Sequence, residues 1–180
     1  MIYFDNSATT RTIKEVNAGT VGNNSGKVEK ITNTGSVGVN EETGTVDFNG
    51  NEIVSNYGTV TQNSGTISRN YGTVSENTGS ITMHDGEVTL NKNSVTFEKT
   101  STDAIAKGKI KTNAENGHVT INSGSSDNRI QIENNEGTID VNEADVIVDV
   151  NKGTINLHNG ATLTCNYNFG TVNSETGATI

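Results

Sequence analysis

The side chains that could carry out acid–base chemistry in this chain are loosely clustered in its last third. Six carboxylates stand there, namely Glu133, Glu136, Asp140, Glu143, Asp145 and Asp149. Two carboxylates that face each other across a groove can cleave a glycosidic bond. However, the chain has no Trp, and only 4% of its residues are aromatic, so a platform for a sugar ring is hard to build. We therefore interpret the acids as a solvated face that discourages sideways aggregation of a sheet, with glycan cleavage as a distant alternative.

The one cysteine and the three histidines predict neither a nucleophile nor a metal site. Cys165 follows Leu163 by two residues, so its thiol is expected to face a core as a structural group. His84 and His158 stand where other units have a turn Asn, and His118 stands where they have an outward Thr. Because the three lie in separate units, we expect no metal ligand set, no cofactor and no catalytic residue.

The amino-acid composition limits the classes of protein to which this chain can belong. Only 30% of the 180 residues are hydrophobic, against roughly 45–50%, by a somewhat broader count that includes Gly, in ordinary soluble domains. The formal charge of −9 makes nucleic acid and anionic membranes poor partners, and no apolar run is long enough to predict membrane insertion. Disorder is the alternative for so polar a chain, but the absence of Pro argues against it, because Pro is excluded from hydrogen-bonded ladders.

The main structural feature of the chain is a seven-residue repeat, and any functional residues must be positioned by it. From Asn56 to Phe97 the chain reads NYGTVTQ, NSGTISR, NYGTVSE, NTGSITM, HDGEVTL and NKNSVTF. The constant apolar positions are Val60, Ile67, Val74, Ile81, Val88 and Val95. A coiled coil needs two apolar positions per heptad and good helix formers, and this repeat offers neither. The β-branched residues and the Gly-rich punctuation indicate short strands instead.

Each unit predicts one turn and one short strand. Asn and Gly tolerate positive φ and should form the turn, while Thr-Val-Thr should form a strand with Val on one face and Thr on the other. A strand of three residues cannot bury its Val alone, but stacked copies can. We therefore predict an all-β fold, a parallel β-solenoid (β-roll or β-helix) of 7–9-residue Asn-x-Gly-Thr-Val units.

The spacing of identical residues predicts two units per coil, with three per coil left open. Tyr57 and Tyr71 occupy the same slot two units apart. The longer units downstream carry further apolar residues at period two, which should all face the core: Ile139/Val141, Val146/Val148/Val150, Ile155/Leu157 and Leu163/Cys165. The predicted organisation is an N-terminal strand or cap at 1–16, with Ile2 and Phe4 alternating, and a regular solenoid at 17–97. After these come an insertion or corner at 98–112 and then a wider solenoid at 113–180.

Outward Thr and Ser residues form the candidate binding surface. Thr59, Thr61, Thr73 and Ser75 should line one sheet, and Thr66, Ser68, Ser80 and Thr82 the other, with Ser94 and Thr96 continuing the second set. A flat Thr array at the strand repeat could order water and match ice. The alternative is that Thr is the polar residue best suited to an exposed strand, and Glu87, Lys27 and Arg129 in equivalent slots favour that alternative.

The repeat resembles short-repeat β-rolls. Its Asn-x-Gly-Thr-Val units are similar in style to the heads of trimeric autotransporter adhesins, to ryegrass-type ice-binding proteins and, most of all, to repeats of bacterial surface and phage-fibre proteins. The opening MIYFDNSATT resembles the start of cysteine desulfurases, which would imply a PLP-binding lysine. Nothing after Arg11 continues that resemblance, since no amphipathic helix and no His-Lys motif follow.

The expected function is therefore that of a non-enzymatic structural or adhesive segment of a cell-surface or virion fibre, with an ice-binding roll as the alternative. We expect an extracellular, cell-surface or virion location, although no signal peptide is visible after Met1. The repeat runs out as ETGATI, with Thr179 and Ile180 in the slots of Thr171 and Val172. That edge predicts self-association through the solenoid ends, and the outward surface predicts a host-surface or glycan receptor.

Overall fold

The computed structural model describes residues 12–13, 19–32, 35–98, 108–122 and 130–180, which form two parallel sheets of ten strands each. The odd sheet consists of β1 (Thr12–Ile13), β3 (Lys27–Ile31), β5 (Thr45–Asn49), β7 (Thr59–Asn63), β9 (Thr73–Asn77), β11 (Glu87–Asn91), β13 (Lys109–Asn113), β15 (Ile130–Asn135), β17 (Asp145–Asn151) and β19 (Thr162–Asn168). The even sheet consists of β2 (Thr20–Asn24), β4 (Ser36–Asn40), β6 (Glu52–Asn56), β8 (Thr66–Asn70), β10 (Ser80–His84), β12 (Ser94–Phe97), β14 (His118–Ile121), β16 (Thr138–Val141), β18 (Thr154–Leu157) and β20 (Thr171–Ser174).

The predicted parallel β-solenoid is confirmed, with two strands per coil and about nine turns of roughly 16 residues. Each strand pairs with the strand two places along the chain, so the two sheets alternate and face each other across one core. In the regular part, Val60 pairs with Val74 in the odd sheet and Ile67 with Ile81 in the even sheet. Three units per coil are thereby excluded, and the fourteen-residue spacing of Tyr57 and Tyr71 marks one turn.

The core is a pair of facing apolar columns. The odd sheet contributes Val28, Val46, Val60, Val74, Val88, Ile110, Ile132 and Val148, and the even sheet contributes Val21, Val37, Ile53, Ile67, Ile81, Val95, Val119, Ile139 and Ile155. Every one of these side chains is at most 2% exposed. Stacking in register lets each strand bury its apolar residue against the equivalent residue above and below, which no single unit could do.

The corners are built differently from the sequence prediction. Among the described residues, positive φ occurs only at Glu143, Gly160 and Gly177, so the turn role assigned to Asn and Gly through positive φ is wrong for the Asn-x-Gly-Thr-Val units. Gly is required there for close approach instead. A Cβ on Gly72 would collide with the carbonyl oxygen of Gly58 in the coil before, and one on Gly86 with that of Gly72.

The solenoid widens from β12 onward. Phe97, Ile121, Val141 and Leu157 form a second buried column in the even sheet, as period two predicts. Val150 is an exception to the predicted inward set, because it is only half-buried and Asn151 takes the inward position beside it. Two consecutive residues, Asp149 and Val150, therefore lie away from the core.

The domain boundaries shift slightly. Strand β13 occupies part of the segment assigned to an insertion at 98–112 and pairs in register with β11, so residues 109–112 belong to the solenoid. Within 1–16, Thr12 and Ile13 pair with Lys27 and Val28. The alternation predicted for Ile2 and Phe4 lies outside the described residues.

Candidate functional site

The predicted Thr/Ser rows are aligned by the strand register. In the odd sheet Thr59 pairs with Thr73, and Thr61 and Ser75 stand two residues further along the same strands. In the even sheet Thr66 pairs with Ser80 and Ser80 with Ser94. Ser68 and Thr82 form the second row of that sheet. The inward neighbours of these residues are buried, so the hydroxyl side chains stand on the outer faces.

Each hydroxyl surface is short and ends at ionisable side chains. In the even sheet the first row begins after Glu52 and is interrupted at His118. In the odd sheet Glu87 follows Thr73, and Lys27 precedes Thr45. The two outer faces therefore carry patches of hydroxyl groups about three strands long, each bounded by Glu, Lys or His. Whether these patches bind anything stays a prediction.

The six carboxylates are spread over two faces and two corners. Asp145, Glu133 and Asp149 lie on the odd sheet, Asp140 lies on the even sheet, and Glu136 and Glu143 lie at opposite corners. The register of β15 and β17 brings only Glu133 and Asp149 side by side, in a shallow groove of about 140 Å³.

The Glu133 and Asp149 carboxylates each already have a partner. Lys109 forms an ion pair with Glu133, and Asn166 Nδ2 donates to Asp149 Oδ1 at 2.9 Å. Both partners are donors, so each of the two carboxylates acts as a hydrogen-bond or ion-pair acceptor on the outer face. This geometry favours a solvated acidic face.

The histidines occupy three different settings. His118 faces outward as expected, and its Nε2 lies 2.6 Å from Asp140 Oδ2. His158 lies at a corner, with Nδ1 3.1 Å from Glu175 Oε1. His84 is not a turn residue, because it ends β10 and is 2% exposed. Within the described residues, no three His, Cys, Asp or Glu side chains are placed to hold a metal ion.

Cys165 faces the core as expected but is only half-buried. Its strand, β19, is the last described strand of the odd sheet, so only the bridge from Thr179 to Thr162 lies beyond it. Burial raises the pKa of the thiol, which keeps it protonated at neutral pH. A protonated thiol is a weak nucleophile, so a structural role fits this site.

Two ladders of Asn side chains, buried except for the terminal Asn168, were missed in the sequence. The odd ladder is formed by Asn49, Asn63, Asn77, Asn91, Asn113, Asn135, Asn151 and Asn168, and the even ladder by Asn24, Asn40, Asn56, Asn70 and His84. Within each ladder, Nδ2 of one Asn donates to Oδ1 of the Asn one coil later. The distances between these two atoms are 2.7 Å from Asn49 to Asn63 and 2.9 Å from Asn77 to Asn91.

The second Nδ2 proton of a ladder Asn is used as well. Asn63 donates it to the Ser80 carbonyl at 3.4 Å, and Asn70 donates it to the Gly72 carbonyl at 3.1 Å. A buried amide is stable only when its donors and acceptors are paired, and stacking supplies the partners. The signal was present in the sequence as an Asn three residues after most core Val and Ile residues of the odd sheet, such as Asn63 after Val60 and Asn77 after Val74.

No known family model matches this chain. Curated proteins and solved structures likewise gave no significant match. The adhesin or phage-fibre resemblance of the repeat therefore remains a prediction, whereas the β-solenoid is established by the strand pairing. The described part of the chain also contains no helix long and apolar enough to cross a membrane.

The even ladder ends at His84, where the narrow part of the solenoid meets the wide part. His84 Nδ1 accepts from Asn70 Nδ2 at 3.0 Å, and Nε2 lies 3.4 Å from the Lys109 carbonyl oxygen. The edge of the ring packs against Phe97, with centroids 5.0 Å apart. This arrangement needs a neutral ring, since a proton on Nδ1 would point at a donor. Burial lowers the pKa of His84 to about 4.

We expect stability to fall as the pH is lowered from about 6.5 to 4. The unfolded chain takes up a proton at His84 near its ordinary pKa of 6.5, whereas the folded chain takes it up only near 4. The unfolded state therefore binds more protons in this window, which lowers the free energy of unfolding by about 3 kcal/mol. Urea denaturation followed by circular dichroism measures this free energy of unfolding at each pH between 7 and 4.

The matched control for that titration is His84→Asn, which continues the ladder with a group that does not titrate. The variant should lose most of the slope of stability against pH between 6.5 and 4. If its slope equals that of the unchanged chain, His84 is not the group responsible.

Proposed function

We propose that this chain is a structural spacer in an extracellular fibre of a cell surface or virion, with no enzymatic activity. The single observation that supports this role is the continuity of the interior. Apolar columns run through the described coils of both sheets, and the Asn ladder of the odd sheet keeps its register even where the coil length changes from 14 to 22 residues. Such an interior gives a stiff rod whose length is set by the number of coils.

A spacer of this kind should be modular, and that property is the basis of the test. Inserting four further copies of residues 59–72 after Gly58 recreates the native junction each time. We expect a folded chain that is longer by about 19 Å, at roughly 4.8 Å per added strand in each sheet. Small-angle X-ray scattering measures the maximum dimension. A chain of unchanged length, or one with a random-coil circular dichroism spectrum, contradicts the spacer role.

Self-association through the solenoid ends is part of the proposal. The last coil presents backbone groups of β20 and the apolar side chains of Tyr167, Phe169 and Ile180, which are 64%, 74% and 72% exposed. Nδ2 of Asn168 has no ladder partner beyond it among the described residues. A second copy stacked there would extend both sheets. Ile180→Lys should shift the association to higher concentration in analytical ultracentrifugation.

If the chain also has an adhesive role, the outer faces of the two sheets are the surfaces that would make the contact. The hydroxyl rows of the even sheet are the surface that we propose for contact with a host surface or a glycan receptor. They are regular, polar and free of the ion pairs that cover parts of the odd sheet, such as that between Lys27 and Asp47 at 2.8 Å.

Ice binding is the second candidate because the register aligns Thr66, Ser80 and Ser94 at the spacing of the strands. If this row contacts ice, the purified chain should shape ice crystals, and Thr66→Tyr should weaken that effect. Thr59→Tyr on the odd sheet is the matched control and should leave it unchanged. Absence of ice shaping and of recrystallisation inhibition at high concentration would remove this candidate and leave the spacer proposal standing.

A further inference from the structure

A short tyrosine stack marks the corner that leads from the even sheet to the odd sheet. The rings of Tyr57 and Tyr71 are nearly parallel, at 13°, and their centroids lie 4.9 Å apart. This spacing matches the distance between neighbouring strands, so the rings stack along the axis of the solenoid. Tyr71 thereby covers one face of Tyr57, yet Tyr57 remains 46% exposed.

The other face of Tyr57 looks toward the preceding coil, where Glu41 occupies the equivalent slot. The backbone shows the equivalence, since Tyr57 N donates to Asn40 O at 2.7 Å and Glu41 N donates to Asn24 O at 2.9 Å. Glu41 Oε1 accepts from Asn23 Nδ2 at 3.1 Å, one coil further from Tyr57. The Glu41 side chain therefore leans away from the ring and leaves the slot beside it without an aromatic partner.

The corner before Tyr57 is also longer than the corner that contains it. Residues 41–44 connect β4 to β5, with Gly44 N donating to Glu41 O at 2.8 Å, whereas only Tyr57 and Gly58 connect β6 to β7. Glu42 and Thr43 are exposed at the tip of the longer turn. The free ring face thus lies beside a projecting turn that carries two carboxylates.

The surrounding charges favour a cation in this position. Asp85 takes the slot after Tyr71 in the same corner column, and Glu41 and Glu42 lie in the turn before Tyr57. Lys27, around the corner, is ion-paired with Asp47 at 2.8 Å. Arg69 pairs in register with Ser55 and lies on the Tyr71 side of the stack.

We propose that Tyr57, Glu41 and Glu42 form a binding site for the guanidinium group of an arginine on a basic partner. A planar guanidinium stacks on an aromatic face and can form paired hydrogen bonds with a carboxylate. It would extend the tyrosine stack by one planar layer, in the slot that Glu41 leaves open. Aromatic faces attract cations through the ring quadrupole, and neighbouring carboxylates add to that attraction. The site does not depend on the spacer role.

The test is a titration of the full chain with a tetra-arginine peptide, followed by nuclear magnetic resonance of the Tyr ring protons and backbone amides. We expect shifts at Tyr57 and at residues 41–44, and a tetra-lysine peptide of equal charge should bind several-fold more weakly. Tyr57→Leu should weaken tetra-arginine binding at least tenfold. Tyr57→Phe should retain it, because the ring face is kept. The double change Glu41→Gln and Glu42→Gln should weaken it several-fold.

Phe48→Leu removes an outward aromatic ring of β5, whose centroid lies 5.4 Å from Lys30 Nζ; it is the matched control and should leave binding unchanged. Circular dichroism of each variant verifies that the fold is retained. Equal binding of tetra-arginine and tetra-lysine, or unchanged binding by Tyr57→Leu, would show diffuse attraction to an acidic chain and overturn the proposal. Shifts spread over both sheets without a response at Tyr57 would overturn it as well.

Discussion

Val74→Asp should destabilise the solenoid by about 5 kcal/mol or more, enough to unfold the coils around β9. Val74 is 0% exposed and stacks between Val60 and Val88 in the apolar column of the odd sheet. A carboxylate at this position finds no cation and no hydrogen-bond donor in the column. Thermal and urea denaturation followed by circular dichroism measure the loss, and hydrogen exchange shows which coils open.

Thr73→Asp is the matched control, one residue away on the outer face. Its side chain stays in water, and the only expected penalty is repulsion from Glu87 on the neighbouring strand, at most about 1 kcal/mol. A similar loss of stability in the two variants would mean that the assignment of inner and outer faces is wrong.

Asn63→Ala should lower the free energy of unfolding by about 4 kcal/mol. The change removes the acceptor of Asn49 Nδ2 and the donor to Asn77 Oδ1, both at 2.7 Å, in a position that is 1% exposed. Each buried group left without a partner costs about 1–3 kcal/mol, and the vacated volume adds to this. Denaturant titration measures the total.

Gln62→Ala tests the same strand on its outer side. Gln62 is exposed and its Nε2 lies 3.5 Å from Glu76 Oε2, a weak interaction in water. The expected loss is below about 0.5 kcal/mol. If Asn63→Ala is as mild as Gln62→Ala, the ladder contributes nothing measurable beyond the apolar columns.

The apolar columns and the coil size could be predicted from the sequence because they follow from local regularity. A β-branched residue every seventh position, with Tyr57 and Tyr71 one turn apart, leaves few ways to bury Val60, Val74 and Val88. The register of Thr59 with Thr73 and of Thr66 with Ser80 then follows without further information.

The Asn ladders could not be inferred from propensity, because Asn is far more common in turns than in buried strand ends. An isolated Asn at position 63 would be an unfavourable core residue. It becomes favourable only when Asn49 and Asn77 lie above and below it, which is a property of the stack and not of the unit. The burial of His84 could not be inferred for the same reason, because it depends on Asn70 and Phe97 in neighbouring coils.

The sequence shows where the candidate residues lie along the chain, but not which side chains surround them in the fold. Glu133 and Asp149 stand side by side only because β15 and β17 pair at that register, and Lys109 reaches Glu133 from a third strand. The open face of Tyr57 depends on the length of the preceding corner and on the direction in which Glu41 leans. Neither is encoded in the seven-residue pattern.

The unequal coil lengths make this fold a candidate host for foreign peptides. Asn77 and Asn91 are 14 residues apart, whereas Asn91 and Asn113, and again Asn113 and Asn135, are 22 apart, yet all remain bonded in one ladder at 2.8 to 2.9 Å. The additional residues lie in the sequence between β12 and β13 and between β14 and β15, and these strands keep their partners in each sheet. An epitope or an enzyme-recognition sequence grafted at the short corner after β8 or β10 would, by the same logic, be displayed outward at a fixed height along the rod.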